Sequence, residues 1–142
     1  MLDWLKKINK EYPEFWKLYL SKFEKKSNRF VVLSTETSGL SLEKDVILSF
    51  GAFSIIDNSV VIGDSFETVV AQYKFFHENG ISNEFTIETK MKKMVEPDAI
   101  YALIDFIGNS VLVGHHIDFD VEMINVALER MDCGRLKNEA LD

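Results

Sequence analysis

Phe30-Val31-Val32-Leu33-Ser34-Thr35-Glu36-Thr37-Ser38-Gly39-Leu40 decides the fold. Its first half is a short, apolar, β-branched run, and a turn glycine closes it, which is the pattern of a central strand. Side chains alternate across a strand, so Val32, Ser34 and Glu36 share one face and Val31, Leu33 and Thr35 the other. Carboxylates are seldom buried without a partner, and a metal ion is one such partner. Glu36 at the strand's end therefore has either a cation to bind or water to face.

A second stretch makes the same offer. Val111-Leu112-Val113-Gly114-His115-His116-Ile117-Asp118-Phe119-Asp120 is another short apolar strand that ends in polar and acidic residues. A helical pattern follows, in which Met123, Ile124, Ala127, Leu128 and Met131 form an apolar stripe. Extended backwards, the stripe reaches Asp120, whereas Asp118 falls on the polar stripe with Glu122, Asn125 and Glu129. The spacing predicts Asp118 as a solvent-facing N-cap and Asp120 as a carboxylate heading the buried face. The plainer alternatives are a surface strand-end residue for Glu36 and an ordinary capping carboxylate for Asp120.

The remaining elements are placed around these two. Val46–Ile56 and Val60–Val70 are β-rich runs joined at Asp57-Asn58-Ser59, which predicts an antiparallel hairpin beside the first strand. Residues 74–96 are polar and mixed. Pro97 starts a helix whose Ile100, Leu103, Ile104 and Ile107 form the buried face, with Gly108 near its end. A short strand, a helix and a final strand complete a β-β-β-α-β-α-β order. That order is an α/β fold, a mixed sheet with three antiparallel strands and then parallel ones, flanked by helices.

Residues 1–28 read as an N-terminal helical segment, ahead of a domain over residues 29–142. Leu2, Leu5 and Ile8 share a face, and Pro13 opens a second piece as a first-turn proline does. Phe15, Trp16, Tyr19, Leu20 and Phe23 then form an aromatic stripe, expected to pack on the domain as a lid, with a partner or dimer surface as the alternative. Lys22, Lys25, Lys26 and Arg29 read as a solvated basic face. His77 and His116 read as ordinary loop residues.

A chain of 142 residues, 46% of them hydrophobic, suffices for one domain with a real core. The net charge of −7 argues against a broad electrostatic grip on a phosphate backbone. It leaves room for a site that holds a few nucleotides and takes its positive charge from metal ions. One cysteine, Cys133, excludes an intrachain disulfide framework and fits a reducing cytoplasm. No apolar run is long enough to span a membrane, and Met1-Leu2-Asp3-Trp4 lacks a signal-peptide pattern.

On these residues the chain resembles the DnaQ-like 3′-5′ exonucleases of the ribonuclease H-like fold, named DEDD for their four acidic ligands. The family's first motif, Asp-x-Glu followed by Thr-x-Gly-Leu, matches Ser34-Thr35-Glu36-Thr37-Ser38-Gly39-Leu40 except at its leading Asp. Asp45-Val46-Ile47-Leu48-Ser49-Phe50-Gly51-Ala52 resembles its second strand. The second motif, His-Asn-x-x-Phe-Asp, matches His115-His116-Ile117-Asp118-Phe119-Asp120 with His116 in the Asn place. The likeness covers roughly residues 29–142.

The resemblance implies removal of nucleotides from 3′ ends by phosphodiester hydrolysis with two Mg²⁺ or Mn²⁺ ions, which lie ~3.5–4 Å apart in such sites. It assigns Glu36 and Asp120 as metal ligands and Ser34 to the position of the family's bridging aspartate. Thr37, Gly39, Leu40, His115 and Phe119 fall at substrate-binding positions. The implied partners are the 3′ end of single-stranded or frayed DNA, with RNA as the alternative, and a DNA polymerase subunit. The family's third motif, His-x₄-Asp, has no counterpart before Asp142, so the domain reads as C-terminally incomplete and its activity as impaired. An incomplete domain would leave a sheet face to cover, by a homo-oligomer or a further segment. The alternative function is a non-catalytic module that keeps the exonuclease fold to bind nucleic acid or a polymerase.

Overall fold

The computed structural model describes residues 11–78 and 93–142. Helix α1 (Glu14–Ser21) and a short 3₁₀ turn lead into β1 (Phe30–Thr37), β2 (Ile47–Ile56) and β3 (Ser59–Ala71). Then come α2 (Tyr73–Glu78), β4 (Lys93–Val95), α3 (Glu96–Ile107), β5 (Val111–Val113), α4 (Ile117–Arg130) and β6 (Ala140–Leu141). The strands lie in the order β4-β3-β2-β1-β5-β6, with β1, β2 and β3 antiparallel and β5 and β6 parallel to β1. The mixed sheet with a helix before it is the expected architecture.

Local chemistry accounts for the joints. Asp57 and Asn58 hold positive φ of 52° and 64°, which a two-residue hairpin turn needs and which Asp and Asn tolerate better than bulkier residues. Pro97 sits in the first turn of α3, and Gly108, at φ 49°, ends it. Parallel pairing of β1 and β5 requires a crossover, and α3 supplies it.

One face of the sheet carries the core. Val31 and Leu33 of β1 are buried with Ile100, Leu103, Ile104 and Ile107 of α3 and Ile124 and Leu128 of α4. Trp16 and Tyr19 of α1 join the same cluster and stack with ring centroids 4.6 Å apart. The aromatic stripe is thus the lid its spacing predicted. Tyr19 also reaches the last strand's approach, its hydroxyl donating to Asn138 Oδ1 at 2.5 Å and accepting from the Lys137 amide at 2.7 Å. Burial pushes that phenol up to about 12, so it stays a neutral hydroxyl. On the opposite face, Phe30 and Phe53 keep more than a third of their surface in water, and Ser34 and Glu36 are exposed.

Four expectations need correction. Arg29 is not part of a solvated face. Its guanidinium donates to Asp64, to the Phe106 carbonyl at 2.8 Å and to Ser110 Oγ at 2.8 Å, and lies 4.7 Å over the Phe106 ring. Asp64 in turn accepts from the buried Ser54 hydroxyl, and that bond, with Arg29, holds its carboxyl below the usual range. Asn125 is buried rather than on a polar stripe, because its amide oxygen accepts the Leu136 N–H at 2.8 Å and pins the chain leaving α4. Asp118 is not the N-cap of α4. His116 is, in the left-handed region at φ 52°, because burying Ile117 starts the helix two residues earlier. The order β-β-β-α-β-α-β lacks two short elements, α2 and β4, and β4 pairs parallel with β3. Leu2, Leu5, Ile8 and the side chain of His77 lie outside the described residues.

Candidate active site

Strand β1 and strand β5 run parallel and finish at the same end of the sheet. In open α/β sheets that end is where ligands gather. Ser34 and Glu36 stand on the water-facing side of β1. The register with β2 then shifts between Glu36 and Thr37, so the ladder is irregular immediately after the carboxylate, and Thr37 pairs with Ile47 beyond it. Thr37 ends β1, and its hydroxyl donates to the Gly39 carbonyl on the following loop at 2.8 Å. Leu40, at the tip, is 85% exposed.

The placement of the segment that carries Asp120 depends on a glycine. A β-carbon at Gly114 would lie 2.6 Å from the Leu33 carbonyl oxygen and 3.1 Å from Ile117 Cδ1. Only hydrogen fits there, so the link from β5 presses directly on the backbone of β1, next to Ser34. Helix α4 begins from that contact. Asp118 points to water from its first turn, where negative charge suits the helix dipole.

Asp120 follows the core-facing line of Met123, Ile124 and Ala127, and only 8% of it is exposed. It makes no hydrogen bond among the described residues. Burial pushes its carboxyl up to about 6 from 3.8, partly countered by the charge of His116. The Thr35 hydroxyl of β1 is buried without a hydrogen-bond partner among the described residues. His115 and His116 are exposed with ring centroids 4.0 Å apart, and Phe119 is half-buried against the core. Among the described residues, no three or more His, Cys, Asp or Glu side chains gather as a metal centre.

Donor chemistry bounds what could bind. A buried carboxylate without a partner is costly, and a hard cation is one group that satisfies it. Two carboxylates suffice for one such ion when water and a phosphate complete its shell. They are too few for two ions, and the Ser34 hydroxyl brings no charge.

The model of the exonuclease family (RNase_T) matches residues 31–137, which include both strand ends and α4. The chain belongs to this exonuclease family. Curated relatives agree. The DNA polymerase III PolC-type of Clostridium perfringens is 35% identical over 126 residues, covering 81% of this chain and 8% of its own length. The DNA polymerase III subunit epsilon of Aquifex aeolicus is 25% identical over 117 residues, covering 79% of this chain and 55% of its own length. The exonuclease chain thus spans a small part of the PolC-type relatives and about half of the epsilon subunit. In fold it is similar to E. coli exonuclease I in complex with a dA16 oligonucleotide, with a TM-score of 0.61, 16% identity, and 82% of this chain and 28% of that one covered. The family is generally dependent on divalent metal. Among the described residues, no helix is long and apolar enough to cross a membrane.

The residue that sequence reasoning passed over is Asp45, taken only as the start of a strand. Its signal was available in Ser38, Ser41 and Asp45, three side chains that bond readily to nearby backbone within one short loop.

Proposed function

We propose that the chain acts as a metal-dependent 3′-5′ exonuclease domain on the 3′ end of single-stranded or frayed DNA, working beside a DNA polymerase and slowed by Ser34. The observation that carries this reading is Asp120, a largely buried acidic residue with no hydrogen bond among the described residues, on the helix that follows β5. Asp120 and Glu36 would hold Mg²⁺ or Mn²⁺. The ion, when bound, supplies Lewis-acid stabilisation of charge on the phosphoryl oxygens. Thr37, Gly39 and Leu40 receive the terminal nucleotides on the loop after β1, and His115 and Phe119 flank them from the start of α4. Ser34 donates a hydrogen bond where a charge is needed, so it orients a phosphate without neutralising a cation.

Two titrations test the proposal. Mn²⁺ calorimetry on the wild-type chain should find a weak site that Asp120→Asn abolishes and Ser34→Asp tightens. Removal of one preorganised charge-stabilising group costs about 10²–10³ in rate, so Ser34→Asp should speed digestion of a 5′-labelled oligodeoxynucleotide by a comparable factor. Equal Mn²⁺ affinity in all three proteins would overturn the site.

A second reading is a non-catalytic module that binds nucleic acid or a polymerase through the same fold. It is favoured by the neutral Ser34 and by the lack of a three-ligand cluster among the described residues. Strand binding that persists in a Ser34→Asp protein with no hydrolysis would select it.

A further inference from the structure

At the far end of β1 from Glu36, where Phe30 pairs with Val111 at the start of β5, the surface opens into a cavity of about 250 Å³. Three lysines line it, Lys25 and Lys26 from the segment before β1 and Lys137 from the approach to β6. None of the three makes an ion pair among the described residues. The chain holds 23 acidic residues against 16 basic ones, so carboxylates are not scarce. Like charges gathered around one space repel, and an anion placed among them relieves the repulsion. Glu139 is the one acid in that lining, which leaves a surplus of two positive charges.

The backbone under these side chains is fixed in advance. Asn109, in the turn between α3 and β5, donates its amide to the Lys22 and Lys25 carbonyls, both at 2.9 Å. Lys137 is held through its N–H by the Tyr19 hydroxyl, and its neighbour Asn138 is bonded to the Gly108 and Ser110 carbonyls of the same turn. Ser27 Oγ, also in the lining, accepts the Arg29 N–H at 3.1 Å, and its own hydrogen has no acceptor among the described residues. Phe23 and Val111 add an apolar wall, with Phe23 set edge-on against Tyr19 at 5.0 Å between centroids.

Three ammonium groups and a hydroxyl donor around one space suit an anion with several acceptor oxygens, and charge-assisted bonds of this kind are the strong ones. A phosphomonoester carries about −1.5 to −2 charges near neutral pH, which matches the surplus. The aromatic wall suits a flat ring beside that phosphate. The volume lies just under the usual range for small-ligand pockets, about 300–1,000 Å³, and the chain's net negative charge disfavours a long strand there.

We propose that this cavity binds a nucleoside monophosphate, with Lys25, Lys26, Lys137 and Ser27 on the phosphate and Phe23 against the base. The site is separate from the candidate active site. A strand rises about 3.3 Å per residue, so Glu36 lies roughly 20 Å along β1 from Phe30. The proposal therefore does not depend on the exonuclease reading, and its failure would leave that reading intact.

Calorimetry on the full chain in EDTA tests it, with deoxyadenosine monophosphate as the probe and no metal to bind at Glu36 or Asp120. The monophosphate should bind one to one, inorganic phosphate more weakly in competition with it, and deoxyadenosine not at all. Lys25→Gln and Lys137→Gln should each weaken the monophosphate about tenfold, a change equivalent to 1.4 kcal/mol. Lys17→Gln removes a lysine outside the cavity and should change nothing. Phe23→Leu should weaken the monophosphate and spare inorganic phosphate. Absence of binding, equal binding of deoxyadenosine, or an equal loss in Lys17→Gln would overturn the proposal.

Amide chemical shifts locate the ligand. The monophosphate should move Ser27, Asn109 and Val111, and shifts confined to Gly39 and His115 would refute the cavity. An oligodeoxynucleotide without a terminal phosphate that displaces the monophosphate at lower concentration would show that the lysines follow a strand backbone, and the mononucleotide site would fall. Should Phe23→Leu fail to fold, the wild-type chain replaces it: equal affinities for monophosphate and inorganic phosphate would overturn the nucleotide in favour of phosphate alone.

Discussion

Gly114 and Leu33 meet backbone to backbone: a β-carbon on the glycine would lie 2.6 Å from the leucine carbonyl oxygen. The link into α4, and with it Asp120, is seated by that contact. Gly114→Ala should destabilise the domain by about 1–3 kcal/mol, the usual cost of overpacking, because neither backbone can yield far. Urea denaturation measures it. A melting profile equal to wild type would mean that α4 is free to shift outward.

Asp120 should be more useful than stabilising. Its folded carboxyl sits at about 6 against an ordinary 3.8, so the folded chain binds that proton more tightly than the unfolded chain does. The penalty is absent below pH ~4 and complete above about 6. Asp120→Asn should therefore raise stability at pH 7.5, by about 1 kcal/mol once partial screening by water is allowed for. The gain should vanish near pH ~3.5. Thermal melts at the two pH values decide it, and a loss of stability at pH 7.5 would contradict the buried, unpartnered carboxylate.

The Arg29–Asp64 pair predicts the opposite pH behaviour. Hydrogen bonds from Ser54 and Arg29 hold Asp64 below the usual carboxylate range, so its contribution is present at neutral pH and lost as pH falls below that range. Arg29→Ala should destabilise the chain by about 2–4 kcal/mol, because it leaves the Phe106 carbonyl and the Ser110 hydroxyl without their donor. Arg29→Lys should recover less than half, since an ammonium cannot serve three acceptors and an aromatic face together. Chemical melts of both variants across acid pH test the sizes and the slope.

Much of this architecture was legible in the sequence. The alternation Val31-Val32-Leu33 named the buried face of β1, and the stripe from Met123 through Leu128 led back to Asp120. The Asp57-Asn58 turn and Pro97 marked their elements correctly because their backbone constraints are local. The misses were tertiary. Nothing near Arg29 in sequence announces Asp64 or Phe106, so a cluster of four basic residues concealed one that is largely enclosed. Asn125 was misplaced for the same reason, its partner Leu136 lying beyond the end of its own helix. His116 capped α4 because burial of Ile117 outweighed the ordinary preference for Asp at that position. The geometry of Gly114 against Leu33 has no local sequence signal, although it fixes where Asp120 enters.

The Tyr19 hydroxyl has a consequence for how the molecule opens. It ties α1 to Lys137 and Asn138, and Asn138 is tied in turn to the Gly108 and Ser110 carbonyls at 2.9 and 2.7 Å. Three stretches far apart in sequence are thereby clamped at one corner. Lifting the lid alone would expose the Trp16 and Tyr19 rings and strand a set of buried dipoles, so the lid has no cheap partial excursion. Its amides should exchange with solvent at the rate of whole-domain unfolding, and a protease should find no early cut in α1.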